Sequence, residues 1–198
     1  MPRTTPRFPK LQIGLPDWVE GQLPAADHRF ETVDERMELA IALSRFNVSV
    51  GGGPFGAAVF NLDTGRLVAP GVNLVVPAGW SGAHAEMVAI AVAQQAAGTH
   101  DLGAGGQPRH ELVTSCEPCS MCFGATPWSG VKRLVYAACE EDARAIGFDE
   151  GPKPKNWIAE LESRGIEVVA SPLRPQAVRV LQDYASGGGP IYNGRVEA

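Results

Sequence analysis

His84-Ala85-Glu86 and Pro118-Cys119-Ser120-Met121-Cys122 are the stretches on which the reading of this chain turns. The first opens an Ala-rich segment, about Ala83–Ala97, stopped by Gly98. A run of good helix formers ended by glycine predicts a helix. The second opens another helix, with Pro118 suited to its first turn. Between them a strand is expected at about Glu111–Ser115, after a loop holding Gly103, Gly105 and Gly106. Cys119 and Cys122 stand three residues apart and so share one helical face. His84 and Glu86 stand two apart, which turns them about 200° from each other in a regular helix. They can serve one site only if it lies off the helix start, near residue 84. Two helix N-termini would then meet at one point, and each dipole favours thiolate over thiol.

The residue types point to a metal. A neutral imidazole (His84) and two thiolates (Cys119, Cys122) fill three corners of a zinc tetrahedron and leave the fourth for water or hydroxide. One Zn²⁺ per subunit is expected. Two thiolates and a neutral imidazole cancel its charge, which makes it a milder Lewis acid than zinc held by three histidines. A neighbouring base must then help ionise the water, and Glu86 is placed for that role. Two other readings stay open. A lone C-x-x-C suits a redox pair as well, and Cys116 could supply a fourth donor that closes a structural site. Cys116 and Cys139 otherwise read as neutral core thiols. His28, His100 and His110 read as solvated loop or edge residues.

Working outward, Thr32-Val33-Asp34-Glu35 has the form of a capping box. It opens a helix with Met37, Ala40, Ile41, Leu43 and Phe46 on one side, ended by Gly51-Gly52-Gly53-Pro54. Strands at Phe55–Asn61 and Arg66–Asn73 flank the hairpin signal Asp63-Thr64-Gly65. After the cysteine-bearing helix come a strand at Val131–Ala138 and helices at Glu140–Ile146 and Trp157–Arg164. A strand at Ile166–Ala170 and a helix at Gln176–Tyr184 follow. A strand pair followed by alternating helices and strands implies an α/β fold: a three-layer α/β/α sandwich around a central mixed five-stranded sheet. Pro2, Pro6, Pro9, Pro16 and Pro24 make residues 1–30 an extended arm, either mobile or laid over a neighbouring surface. Residues 31–186 form the domain, and Gly187-Gly188-Gly189-Pro190 releases a tail over 187–198.

With 198 residues the chain can bury roughly 70% of its unfolded surface as one domain. No run nears the roughly 18 apolar residues of a membrane span, and the Pro-rich start lacks the apolar core of a secretory signal. Cytoplasmic residence is expected. Net charge is −5 and the pI about 5.4, without the Lys/Arg-rich face of a nucleic-acid binder. A small substrate is expected, with neither nucleic acid nor membrane as partner. Three of the four cysteines crowd into Cys116–Cys122, which suits metal chemistry in a reducing compartment.

The H-x-E and P-C-x-x-C motifs resemble those of the zinc nucleobase deaminases. From about Gly53 to Asn193 the chain is similar to the cytidine deaminase superfamily, and within it to the bacterial guanine deaminases. Pro54-Phe55-Gly56-Ala57, Gly71-Val72-Asn73, Thr114-Ser115-Cys116-Glu117 and Gly147-Phe148-Asp149-Glu150 carry the likeness beyond the zinc motif. The resemblance implies a cytidine deaminase-like fold and the hydrolysis of guanine to xanthine and ammonia. The N-terminal arm and Ile191-Tyr192-Asn193 also resemble a branch that accepts ammeline. His84, Cys119 and Cys122 are implied as metal ligands, Glu86 as the proton carrier and Glu150 as a second acid. Asn73, Phe55, Ala85, Ser115, Trp128 and Tyr192 are implied around the substrate, in a homodimer whose tails close over partner sites. Asn73 offers a donor and an acceptor to a lactam edge, and Glu150 accepts from ring N–H and amino groups. On their residues alone, Asp149–Pro152 has a second reading as a solvated turn, and Phe55 and Trp128 read as core. Alternatives are a tRNA adenosine deaminase, which would need cations at its mouth, and a non-enzymatic structural zinc protein.

Overall fold

The computed structural model describes residues 7–171 and 173–194. The expectations for residues 1–6 and 195–198 lie outside it. After a 3₁₀ turn at Asp17–Gln22, helix α1 runs Val33–Ser49 and the hairpin β1 (Gly56–Asn61)–β2 (Leu67–Val72) follows. Then come α2 (Val75–Ala78), α3 (Ala85–Ala97), β3 (His110–Cys116), α4 (Ser120–Ser129) and β4 (Arg133–Ala138). The chain ends with α5 (Glu140–Ala145), α6 (Trp157–Glu162), β5 (Glu167–Ala170) and α7 (Arg174–Ser186). The five strands form one sheet in the order β2-β1-β3-β4-β5. β1 is antiparallel to β2 and β3, while β3, β4 and β5 are parallel. This is the mixed five-stranded sheet that the sequence implied. Among the described residues no helix is long and apolar enough to cross a membrane.

Alternation along the strands builds two cores. Ala58, Phe60, Val113 and Val135 face α1 and α7, whereas Ala57, Val59, Leu112 and Leu134 face the α3, α4 and α6 side. This is the period-2 side-chain rule applied across a sheet covered on both faces. The capping box is real: Glu35 N donates to Thr32 Oγ1 at 3.2 Å, and Thr32 N donates to Glu35 Oε2 at 3.1 Å. α3 approaches β2 closely because both contact surfaces are small. A side chain at Gly71 would meet Ala85 O at 2.2 Å and Ala89 N at 2.6 Å.

The N-terminal arm lies over the domain: Trp18 packs against Phe46 in a tilted pair at 4.7 Å, and Val19 and Phe30 enter the core. One expectation is corrected by the packing. His110 is buried, with Nδ1 2.9 Å from Leu102 O, because its strand is central and not an edge. The four-residue α2 went unread, since Val75-Val76-Pro77-Ala78 is too short for helical periodicity. The start of β1, the end of β2 and the end of β3 lie at one edge of the sheet, as the pairings Gly56–Val72 and Ala57–Thr114 show. In open α/β sheets that carboxyl edge of the parallel strands is where ligands bind.

Candidate active site

His84 is the N-cap of α3 and Cys119 the N-cap of α4, and neither side chain is spent on capping its helix. Both are therefore free to face each other across the gap between two positive helix ends. His84 Nδ1 lies 3.4 Å from Cys119 Sγ and 3.6 Å from Cys122 Sγ. One donor atom from each of the three residues falls within 4.8 Å of the others. Zinc–sulfur and zinc–nitrogen bonds of about 2.3 and 2.1 Å at tetrahedral angles separate such donors by about 3.6 Å. The trio fits the ion. Cys116 is outside it, with its thiol directed to Cys139 O at 3.8 Å, so among the described residues no fourth side chain closes the cluster.

The electrostatics agree with a cation site. The Cys122 thiol hydrogen-bonds to Cys119 and, with His84 beside it, holds Cys119 down at about 4. The same bond and burial push Cys122 upward. Burial opposes charge on His84, but its hydrogen bond to Cys119 and the surrounding negative groups outweigh that and raise it. Glu86, second residue of α3, is pushed up by burial and then by the Cys119 charge. Glu150 is pushed up to about 8, first by burial and then by Cys119 and Glu86. Two buried acids beside two sulfurs form an excess of negative charge that a divalent ion would relieve.

His84, Glu86, Cys119, Glu150, Phe55 and Tyr192 line one cavity of about 150 Å³. Phe55 packs edge-on against Phe148 at 5.0 Å, and Phe148 meets Tyr192 at 5.0 Å. Asn73 lies just behind: a side chain on Gly53 would meet the Tyr192 hydroxyl at 2.1 Å and Asn73 Oδ1 at 2.9 Å. Asn73 Oδ1 accepts from Val75 N at 3.2 Å, whereas Asn73 Nδ2 and the Tyr192 hydroxyl are buried without hydrogen-bond partners among the described residues. Buried polar atoms are rarely left unpaired, and both of these groups have hydrogen-bonding capacity to spare beside the cavity.

Three expected substrate residues stand elsewhere. Ala85 is wholly buried in the α3–β2 contact, and Ser115 Oγ accepts from Gly56 N at 3.1 Å. Trp128 is 85% exposed near the far end of α4, beside Phe123 and Pro127 and away from the cavity. Conversely, Phe148, Glu117, Ser81 and Asn193 line the cavity and were not assigned to it from sequence. Phe148, Glu117 and Asn193 stood within the quoted stretches Gly147–Glu150, Thr114–Glu117 and Ile191–Asn193 without a role of their own; Ser81 carried no signal. Asn193 accepts from Asp149 N at 2.8 Å and donates to Gly147 O at 2.8 Å, which lays the tail over its own chain's cavity.

Residues 31–138 match the family described as the cytidine and deoxycytidylate deaminase zinc-binding region. A guanine deaminase of Bacillus subtilis is 39% identical over 115 residues, 58% of this chain and 69% of that protein. The solved guanine deaminase of Nitrosomonas europaea is 48% identical, with a TM-score of 0.85 over 89% of this chain and 97% of that one. A further solved structure, in complex with 2,6-diaminopurine, is 49% identical, with a TM-score of 0.86 over 93% and 97%. The three donors thus lie within the matched zinc-binding region, and the chain belongs to the cytidine and deoxycytidylate deaminase family of zinc-dependent hydrolytic deaminases, with guanine deaminases among its relatives.

Proposed function

We propose that this protein hydrolyses guanine to xanthine and ammonia, with His84, Cys119 and Cys122 holding one zinc ion. The observation that carries the reading is the set of groups around a single small cavity. It combines a three-donor cluster, a buried acid outside that cluster, a second acid, and unpartnered amide and hydroxyl groups. When bound, the ion lowers the pKa of a water and polarises it for attack. The protein's own residues do the rest. Asn73 and the Tyr192 hydroxyl read the polar edge of the base, and Glu150 accepts from its N–H and amino donors. Phe55 covers a ring face.

Glu86 takes a proton from the attacking water and passes it to the ring nitrogen beside C2. Water oxygen bonds to C2 as that nitrogen gains the proton. The C2 hydroxyl proton then passes to Glu86 as the C2–O bond becomes a carbonyl, and the C2–N bond breaks with its electron pair leaving on the amine. The amine takes that proton from Glu86, or one from Glu150 that the hydroxyl proton replaces, and departs as ammonia. Ala85 supports the site through packing and Ser115 through its hydrogen bond from Gly56 N, while Trp128 lies away from it. The reaction belongs to purine breakdown in the cytoplasm, where thiols stay reduced. Ammeline is a further substrate of the same donor pattern. The chain works as a homodimer, for which exposed Trp128 and Met121 on α4 offer an apolar face.

Ammonia release from guanine, guanosine, ammeline, cytosine, cytidine and adenine tests this. Turnover of guanine above all others is expected. Strong turnover of cytidine or adenine with none of guanine overturns the substrate assignment, and a monomer by light scattering overturns the dimer.

A further inference from the structure

Lysine is among the side chains least often buried unless paired, yet the Lys153 side chain is 3% exposed. Its Nζ donates to Glu117 Oε1 at 2.5 Å and to Pro118 O at 2.9 Å, and lies 3.2 Å from Glu140 Oε2. The Trp157 ring covers it at 4.8 Å. Glu117 and Pro118 are the residues that lead into Cys119, and Lys153 closes the short segment that begins at Glu150. The other end of that segment is tied to the same turn, since Ser120 N donates to Glu150 O at 2.9 Å. Gly151 (φ +70°) turns the chain between the two ties. Outside them, Arg144 reaches Asp149 and Gly151 O from an exposed position, a contact that water and salt weaken. The buried tie is the stiff one.

We propose that Lys153 is a positioning residue that clamps the Glu150 segment to the turn entering Cys119 and so keeps the Glu150 carboxyl at the cavity. The proposal rests on the reading of Glu150 as a second acid. An ammonium with three donors can bridge two carboxylates and a carbonyl at once. A neutral side chain of the same length fills the space and holds nothing. A displacement of about 1 Å at a catalytic group can cost about 100-fold.

The test is a double-mutant cycle on the full, zinc-loaded protein: Lys153→Met, Glu150→Ala and the pair, assayed on whichever heterocycle is turned over fastest. Lys153→Met should keep its zinc and lose about 10- to 100-fold in kcat/KM. In the Glu150→Ala background the same change should cost almost nothing further, because the group it positions is gone. Equal losses in both backgrounds, wild-type kcat/KM in Lys153→Met, or loss of zinc overturns the proposal. Full activity in Glu150→Ala alone refutes the second-acid reading itself, and the clamp with it. If Lys153→Met does not fold, Glu140→Gln removes one carboxylate from the more exposed edge of the clamp. It should give a smaller loss that also vanishes without Glu150; an unchanged rate overturns the clamp.

Discussion

His84 Nδ1 stands 3.4 Å from Cys119 Sγ, and each residue is the N-cap of its own helix. The site is thus a junction of two helix starts, and Cys122 joins it from the first turn of α4. Such a junction brings negative sulfur to two positive dipole ends, and a shared cation would hold His84 to the thiols far more firmly than their sulfur–imidazole hydrogen bonds do. His84→Ala should therefore lose zinc and activity together, and chelation of the wild type should lower its melting temperature, because a ligand bound only to the folded state stabilises it. Elemental analysis showing a full complement of zinc in His84→Ala would contradict the ligand assignment.

Glu86 lies two residues from His84 yet outside the donor cluster, buried at the cavity wall. Glu86→Gln preserves shape and removes the ability to shuttle a proton. Turnover should fall by about 10²- to 10⁴-fold, the usual range for a lost general acid–base group, while zinc content is unchanged. Activity within about tenfold of wild type would remove Glu86 from the chemistry.

Gly53 has no room for a side chain: a methyl there would press on the Tyr192 hydroxyl and Asn73 Oδ1. Gly53→Ala should push the tail aside or rotate Asn73. Zinc and melting temperature should stay close to wild type, and kcat/KM should drop about 10- to 100-fold through lost orientation. Unchanged kinetics would show that neither group touches the substrate.

The zinc cluster was legible in the sequence because its chemistry is local: three donors in two short motifs, each at a helix start that proline, glycine and alanine punctuate. The succession of a strand pair and then alternating helices and strands likewise exposed the sheet covered on both faces. Trp128 was not legible, since the direction of a helix face depends on how α4 docks, and spacing from Cys122 does not carry that. His110 was misjudged because its strand position, β3 at the centre of the sheet, follows from pairing order. Lys153 gave no signal at all; its partners Glu117 and Glu140 are distant in sequence and only the fold gathers them.

Asp142 links acid titration to stability. Its carboxylate accepts from Arg174 at 2.8 and 3.0 Å and from Cys139 N at 2.8 Å, and the Arg174 bonds hold its pKa below the ordinary value. A depressed carboxylate adds stability above its unfolded pKa and loses it as pH falls through the folded pKa. Asp142→Asn should therefore be less stable than wild type at pH 7 by a modest amount, since Arg174 is half exposed. The gap should narrow below about pH 4. A gap that is constant from neutral to acid pH in urea titrations would assign the loss to capping of α5 alone.

Glu111 makes the sharpest stability prediction. It sits fully buried in the central strand β3, between Arg36 Nη1 at 2.5 Å and Arg133 Nη2 at 2.7 Å. Arg36 also donates from Nε and Nη2 to Phe30 O, so the same guanidinium pins the N-terminal arm. Removing the carboxylate strands the nearly buried Arg36 cation inside the fold. Breaking one side of a buried ion pair costs about 3–5 kcal/mol, and Glu111→Gln should lose stability on that scale in urea titrations. Zinc binding should persist in the folded fraction, because Glu111 is neither in the donor cluster nor at the cavity. Replacing Arg36 and Glu111 together by Met and Leu should recover part of the loss, since the nearly buried Arg36 charge goes with its partner and Arg133, 18% exposed, keeps Glu167 at 3.9 Å. A double variant as unstable as Glu111→Gln would mean that β3 depends on the carboxylate's shape and not on its charge.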